Sequence, residues 1–268
     1  MFGFLFAIGV VGFIVYRFKT ELNEGYSQAG RAAAPLKAMM LPVPPIYREI
    51  LLKYFPYYQK LNDADKDKFV RKVCNFLYGK RFIPREIDAV TVEAKVLIAG
   101  TAVQLTFGLS DVYLRHFNKI LVYPNDYYSV LFKRYHRGEV NPRFGIIVLS
   151  WQAFVDGLAY PNDGKNLGLH EMGHAVRLEN MLRSPDYPFF DENLLEEFDE
   201  LARNVCSRIE NWNETFFRPY ACANEHEFFS VSIEHFFERP EELKNEMPRL
   251  YAILVKLLNQ DPLLLRTT

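Results

Sequence analysis

Leu167-Gly168-Leu169-His170-Glu171-Met172-Gly173-His174-Ala175-Val176 carries the pattern His-Glu-x-x-His in a setting that reads as a helix. Residues four apart on a helix lie one above the other on one face, so both imidazoles can reach a common point. Two histidines at this spacing can hold a zinc ion at about 2.0–2.1 Å, and a glutamate beside the first can serve as general base for a bound water. Glu171 occupies that place. Leu167, Leu169, Met172, Ala175 and Val176 make the surroundings apolar, as a buried helix requires. Gly173 costs roughly 1 kcal/mol of helix propensity, and its position between the histidines predicts close approach of another backbone. The competing reading is a core helix whose histidines are merely hydrogen-bonded. A third ligand decides between them.

The search for that ligand leads to Tyr220-Ala221-Cys222-Ala223-Asn224-Glu225-His226-Glu227-Phe228-Phe229. Asn224 can cap a helix running through Phe228, Phe229, Val231, Ile233, Phe236 and Phe237, with Glu227 at its third position. Asn-x-x-Glu also fits a capping box, in which Glu227 would bond the Asn224 amide instead of a metal. Glu234, seven residues on and on the same face, is a second acidic candidate. His226 and His235 are also available, although His226 is rotated by about 100° from Glu227. Spacing leaves these choices open.

Around this pair of segments stands a chain of 268 residues, 49% apolar and 24% charged, enough for one large domain or two small ones. A net charge of −1 argues against an electrostatic nucleic-acid binder. Cys74, Cys206 and Cys222 are odd in number and show no paired spacing. That favours a reducing compartment and argues against a disulfide framework or a cysteine metal site.

Met1 to Tyr16 is an unbroken apolar run, about 24 Å long as a helix, and the stems of Arg17 and Lys19 can extend it. No basic residue precedes the run, as a signal peptide would require, and the first positive charges follow it. Residues 1–18 therefore read as an uncleaved anchor in the inner membrane with the body in the cytoplasm. The alternatives are a signal peptide or a docking helix of a cytoplasmic protein. Residues 19–45 read as a linker, closed by Leu41-Pro42-Val43-Pro44-Pro45, and residues 46–268 as the functional domain.

Apolar positions from Ile46 to Leu61 recur at helical spacing, interrupted by Pro56. Asn62 or Asp63 can cap a second helix that reaches Gly79, and Arg81 to Asp88 reads as a loop with a short strand. Val92 to about Phe107 is apolar nearly all round, which predicts a central helix ended by Gly108. Lys119 to Tyr123 reads as a strand, and Arg143 to Trp151 as another, followed by a loop around Asp156–Asn166. That second strand is either an edge that accepts a peptide by strand addition or an ordinary covered strand. The tail from Pro240 to Leu258 reads as one amphipathic helix. The fold class is thus α+β, mostly helical with a small sheet, preceded by the N-terminal apolar helix.

Tyr220 followed by Glu227-Phe228-Phe229, downstream of His-Glu-x-x-His, resembles the catalytic core of anthrax lethal factor. More broadly, the chain from Leu41 to Pro262 resembles the Mlc titration factor A family of zinc peptidases. That resemblance rests on Leu97-Ile98-Ala99, Val122-Tyr123-Pro124, Val148-Leu149-Ser150-Trp151, the histidine motif, and Glu227-Phe228-Phe229 through Glu234-His235-Phe236-Phe237, in that order. It implies a zincin-like metallopeptidase domain with one zinc ion held by His170, His174 and Glu227. Glu171 would then be the base and Tyr220 a donor at the oxyanion. Glu234 is a candidate to orient a histidine ligand. The implied partners are a peptide or protein substrate and, for a founding member that binds a repressor, a transcriptional regulator. A membrane-tethered regulator with little or no catalysis is the alternative function. The apolar N-terminus and Ala175-Val176-Arg177-Leu178-Glu179 depart from the family's usual pattern.

Overall fold

Pro45 and Pro56 each open a helix, where a missing amide costs nothing and the fixed φ already suits the first turn. The computed structural model describes residues 42–110, 112–129, 133–182, 188–208 and 216–265. The expected anchor and most of the expected linker lie outside them. No helix among the described residues is long and apolar enough to cross a membrane.

Helix α1 (Pro45–Tyr54) and the short α2 (Pro56–Gln59) meet at Phe55, whose extended backbone makes the break expected at Pro56. Asn62 accepts a hydrogen bond from the Asp65 amide and starts α3 (Asp63–Tyr78), which Gly79 ends. After strand β1 (Arg81–Pro84), the side chain of Thr91 caps α4 (Val92–Thr106). Ala94 and every residue from Val96 to Thr106 are buried, so α4 is the central helix that its all-round apolar sequence predicts. Its polar residues are accommodated locally: Thr101 and Thr106 donate to the carbonyls of Leu97 and Ala102, one turn back.

The remaining strands are β2 (Lys119–Tyr123), β3 (Tyr127–Ser129), β4 (Arg134–His136), β5 (Gly138–Asn141) and β6 (Ile146–Ser150). Strand β1 and three of these form a mixed sheet in the order β1-β2-β6-β5, with β1, β2 and β6 parallel and β5 antiparallel to β6. Strands β3 and β4 form a separate two-stranded ribbon. The sheet order decides between the two readings of the strand before the motif, in favour of the covered one. Strand β6 lies inside the sheet, all five of its residues buried, as its continuous Ile-Ile-Val-Leu run suits; the edges are β1 and β5.

The loop expected after β6 is corrected in part. Ser150 accepts from the Ala153 amide and starts α5 (Trp151–Ala159), leaving a shorter loop up to Asn166. Helix α6 (Leu167–Leu182) carries the histidine motif and packs against α4, α5, β5 and β6. Helix α7 (Glu192–Ser207) and a 3-10 turn (Pro219–Ala223) lead to α8 (Glu225–Glu238), which lies on α6. The tail is two helices, not one. Pro248 cannot donate to a continuing ladder, so α9 (Pro240–Glu246) stops and α10 (Pro248–Leu258) begins afresh. A disulfide also stands against expectation. Cys206 on α7 and Cys222 in the 3-10 turn are joined, which an odd count without paired spacing does not suggest, while Cys74 is free.

Candidate metal centre

Asn166 sets the start of the motif helix. Its Oδ1 accepts from the Leu169 amide at 3.0 Å, and its carbonyl accepts from the His170 amide at 2.9 Å. From there the helical period places His170 and His174 on one face. Gly173 lies between them against Ser230 of α8: a Cβ at this position would stand 3.2 Å from Ser230 Cα and 3.1 Å from its Oγ. The close approach that the glycine predicts is therefore made by α8, the helix that carries Glu227.

Asn224 caps α8 by accepting from the Glu227 amide at 3.0 Å. The Glu227 carboxylate turns toward α6. Its Oε2 lies 3.1 Å from His170 Nε2 and 3.4 Å from His174 Nε2, and the two nitrogens are 3.2 Å apart. Bonds of about 2.0–2.1 Å to a common tetrahedral centre put ligand atoms about 3.3–3.4 Å from one another. The three side chains are only 12–14% exposed. Glu227 Oε2 is buried and forms no well-directed hydrogen bond, so an acceptor is available to a cation. Two imidazoles and one carboxylate, converging in this way, fit a divalent metal ion of zinc size.

Burial pulls the His170 imidazolium down, but its contacts with Glu227 and Glu234 outweigh this and push it up to about 10. The same contacts overcome burial at Glu227 and hold its carboxyl far below the ordinary range. Glu171 behaves oppositely. It is buried on the next face of α6, and burial raises its carboxyl although both histidines oppose the shift. A carboxylate raised in this way is better matched to accepting a proton near neutrality.

Glu234 is 1% exposed, two turns on from Glu227 along the same face of α8. Its Oε1 meets His170 Nδ1 at 2.7 Å and the Arg218 guanidinium, and its Oε2 accepts from the Asn166 amide at 2.7 Å. Asn166 Nδ2 donates at 2.9 Å to Glu238, one turn further along α8. Glu238 and Asn166 also line a cavity of about 690 Å³ with Tyr57, Gln104, Phe237 and Leu263, which does not include the histidines. Tyr220 is half exposed in the 3-10 turn, its ring centroid 6.3 Å from that of His170. Burial and a hydrogen bond to Glu227 push its hydroxyl up to about 12, so it remains a donor at neutral pH.

His226 and His235 do not join the cluster. His235 Nδ1 faces the Val231 carbonyl at 3.0 Å, with the rings of Phe216 and Phe217 packed beside it. His226 is half-buried beside Arg177, and burial lowers its imidazolium. Three residues near the centre have no site role in the sequence analysis. Asn166 was open to it, being a capping type just before an apolar-periodic run. Arg218 and Gly138 carry no local signal. Gly138, at the start of β5, packs on the base: a Cβ there would stand 2.6 Å from Glu171 Cγ and Cδ.

Residues 31–258 match the family described as glucose-regulated metallo-peptidase M90. The chain is 30% identical to an uncharacterized protein of Synechocystis sp. over 242 residues, covering 83% of this chain and 86% of that one. It is 25% identical to Mlc titration factor A of Pectobacterium atrosepticum over 228 residues, covering 78% and 84%. The same factor of Serratia proteamaculans is 27% identical over 233 residues, covering 78% and 85%.

Proposed function

Because the chain belongs to the glucose-regulated metallo-peptidase family M90, we propose that it hydrolyses peptide bonds, with one zinc ion held by His170, His174 and Glu227 and with Glu171 as general base. The observation that carries this reading is the convergence of three ligand atoms at 3.1, 3.2 and 3.4 Å, with a buried carboxylate on the adjoining face of the same helix. A bound zinc ion supplies Lewis acidity to a water and to the scissile carbonyl. Glu171 takes a proton from the attacking water and passes it to the leaving amine. The Tyr220 hydroxyl donates to the carbonyl oxygen as negative charge develops there. Glu234 holds His170 by Nδ1, leaving Nε2 for the metal.

The substrate in this reading is an extended peptide. Strand β5 pairs with β6 on one side only, and its first residue, Gly138, lies against Glu171. A peptide added along the other side of β5 would gain main-chain hydrogen bonds and bring its backbone to the base.

The test is removal and return of the metal. Treatment with a chelator should abolish hydrolysis of a mixed peptide library, and one equivalent of zinc should restore it. Hydrolysis indifferent to chelation sinks this reading.

A regulatory role is the second reading, favoured by relatives named Mlc titration factor A. In it the protein binds a transcriptional regulator, with or without cleaving it. Residues 1–18 add the proposal of a tether in the inner membrane with the catalytic unit in the cytoplasm. Recovery of the full chain in the soluble fraction after gentle lysis would count against the tether.

A further inference from the structure

The stretch that presents Tyr220 is fastened by a covalent bond that hydrolysis does not call for. Cys222 lies in the 3-10 turn and is joined to Cys206 in the last turn of α7, their Cα atoms 5.6 Å apart. Cys222 stands two residues after Tyr220 and two before Asn224, the cap of the helix that carries Glu227. Besides this bond, the turn is held by Ala221, fully buried in the core, and by the polar contacts of Arg218. Arg218 bonds the Gly164 carbonyl at 3.1 Å and Glu234, and the Ala221 amide donates to the Arg218 carbonyl at 3.0 Å. Tyr220 itself is 51% exposed, so its place follows the backbone of the turn more than packing of its ring. Both cysteines are half-buried rather than sealed, which leaves them open to small thiols.

We propose that Cys206 and Cys222 form a reversible thiol–disulfide site that sets how firmly Tyr220 is held at the metal centre. The bonded form is the competent one, and the dithiol form slackens the turn. This rests on the role proposed for Tyr220, whereas the reversibility of the bond does not. The co-reactant is a low-molecular-weight thiol. Its thiolate attacks one sulfur to give a mixed disulfide and frees the other cysteine. A second thiolate then displaces the remaining cysteine. Two small thiols become one small disulfide, and two electrons and two protons pass to the protein sulfurs. His170 and His174 belong to α6, and Glu227 sits behind the Asn224 cap, so metal is retained in both forms.

The experiment uses the full, zinc-loaded chain equilibrated in buffers of stepped glutathione to glutathione disulfide ratio. Alkylation and mass analysis read the state of Cys206 and Cys222. Amide hydrogen exchange over residues 216–224, zinc content and peptide hydrolysis are read on the same samples. The expected result is one two-electron transition, with exchange in 216–224 rising over the same ratios and zinc unchanged. Over that range kcat falls about tenfold, less than the loss of a whole oxyanion donor. Tyr220→Phe should show the same thiol transition and exchange with no further fall in kcat. Cys206→Ser/Cys222→Ser should exchange like the reduced protein at every ratio. Cysteines that stay alkylatable, or stay bonded, at every ratio overturn the proposal, as does exchange that ignores the bond. Absence of hydrolysis in every sample would instead defeat the peptidase reading, and the thiol and exchange measurements would still decide the bond.

Discussion

Glu234 Oε1 lies 2.7 Å from His170 Nδ1, and this contact turns the other ring nitrogen toward His174 and Glu227. One carboxylate so fixes both the tautomer and the direction of a metal ligand, and Arg218 and the Asn166 amide in turn fix the carboxylate. The centre is held from behind as well as from the front.

Removing that support should weaken the metal more than the fold. Glu234→Ala is expected to lower zinc affinity by about 10–100-fold, the usual effect of losing the partner of a ligating histidine. Competition with a chromogenic chelator measures this directly. Unchanged affinity would show that His170 keeps its orientation without Glu234.

Gly138 offers a change that spares the ligands and disturbs the base. In Gly138→Ala the new methyl would enter the space of Glu171 Cγ and Cδ, so the carboxylate must move. A misplacement near 1 Å can cost about a hundredfold in rate. The expected outcome is a fall of that order in kcat, with zinc content unchanged and KM little altered. A variant with wild-type kcat would mean that β5 yields instead of Glu171.

Glu238 should reveal itself through the pH dependence of stability. Burial, opposed by the hydrogen bond from Asn166, raises its carboxyl from 4.5 to about 7. Its proton is thus bound more tightly in the folded chain than in the unfolded one. Stability from this group falls as pH rises from about 4.5 to about 7 and is level beyond. Glu238→Gln keeps an acceptor for Asn166 and removes the ionisation. It should stabilise the protein more at pH 8 than at pH 5, by at most about 3 kcal/mol. Thermal melts at the two pH values decide; equal shifts would place the titration of Glu238 in the ordinary carboxylate range.

Much of this was legible in the sequence, because the motif is local. A four-residue spacing fixes which face the two histidines share, and Gly173 announced the approach of α8. Glu227 was harder, since capping and ligation both fit Asn-x-x-Glu. In the structure only the Asn224 half of the box forms: Asn224 accepts from the Glu227 amide while the carboxylate turns to the histidines. Strands β3 to β5 escaped because they are three or four residues long and lack a clean apolar alternation. Pairing decides them, and pairing is not local. The same holds for Gly138 against Glu171, Arg218 against Glu234, and Cys206 against Cys222.

The central claim is that Glu171 is the proton acceptor of a metal-dependent hydrolysis. Its most direct test compares the full chain with Glu171→Gln at matched zinc content, on a mixed peptide library. Glutamine keeps the shape and cannot accept the proton. Cleavage by the native chain that drops by at least about a hundredfold in the variant, with zinc retained by both, is the expected result. Equal cleavage by both would contradict the claim, and no cleavage by either would shift the account toward a protein that binds its regulator without cutting it.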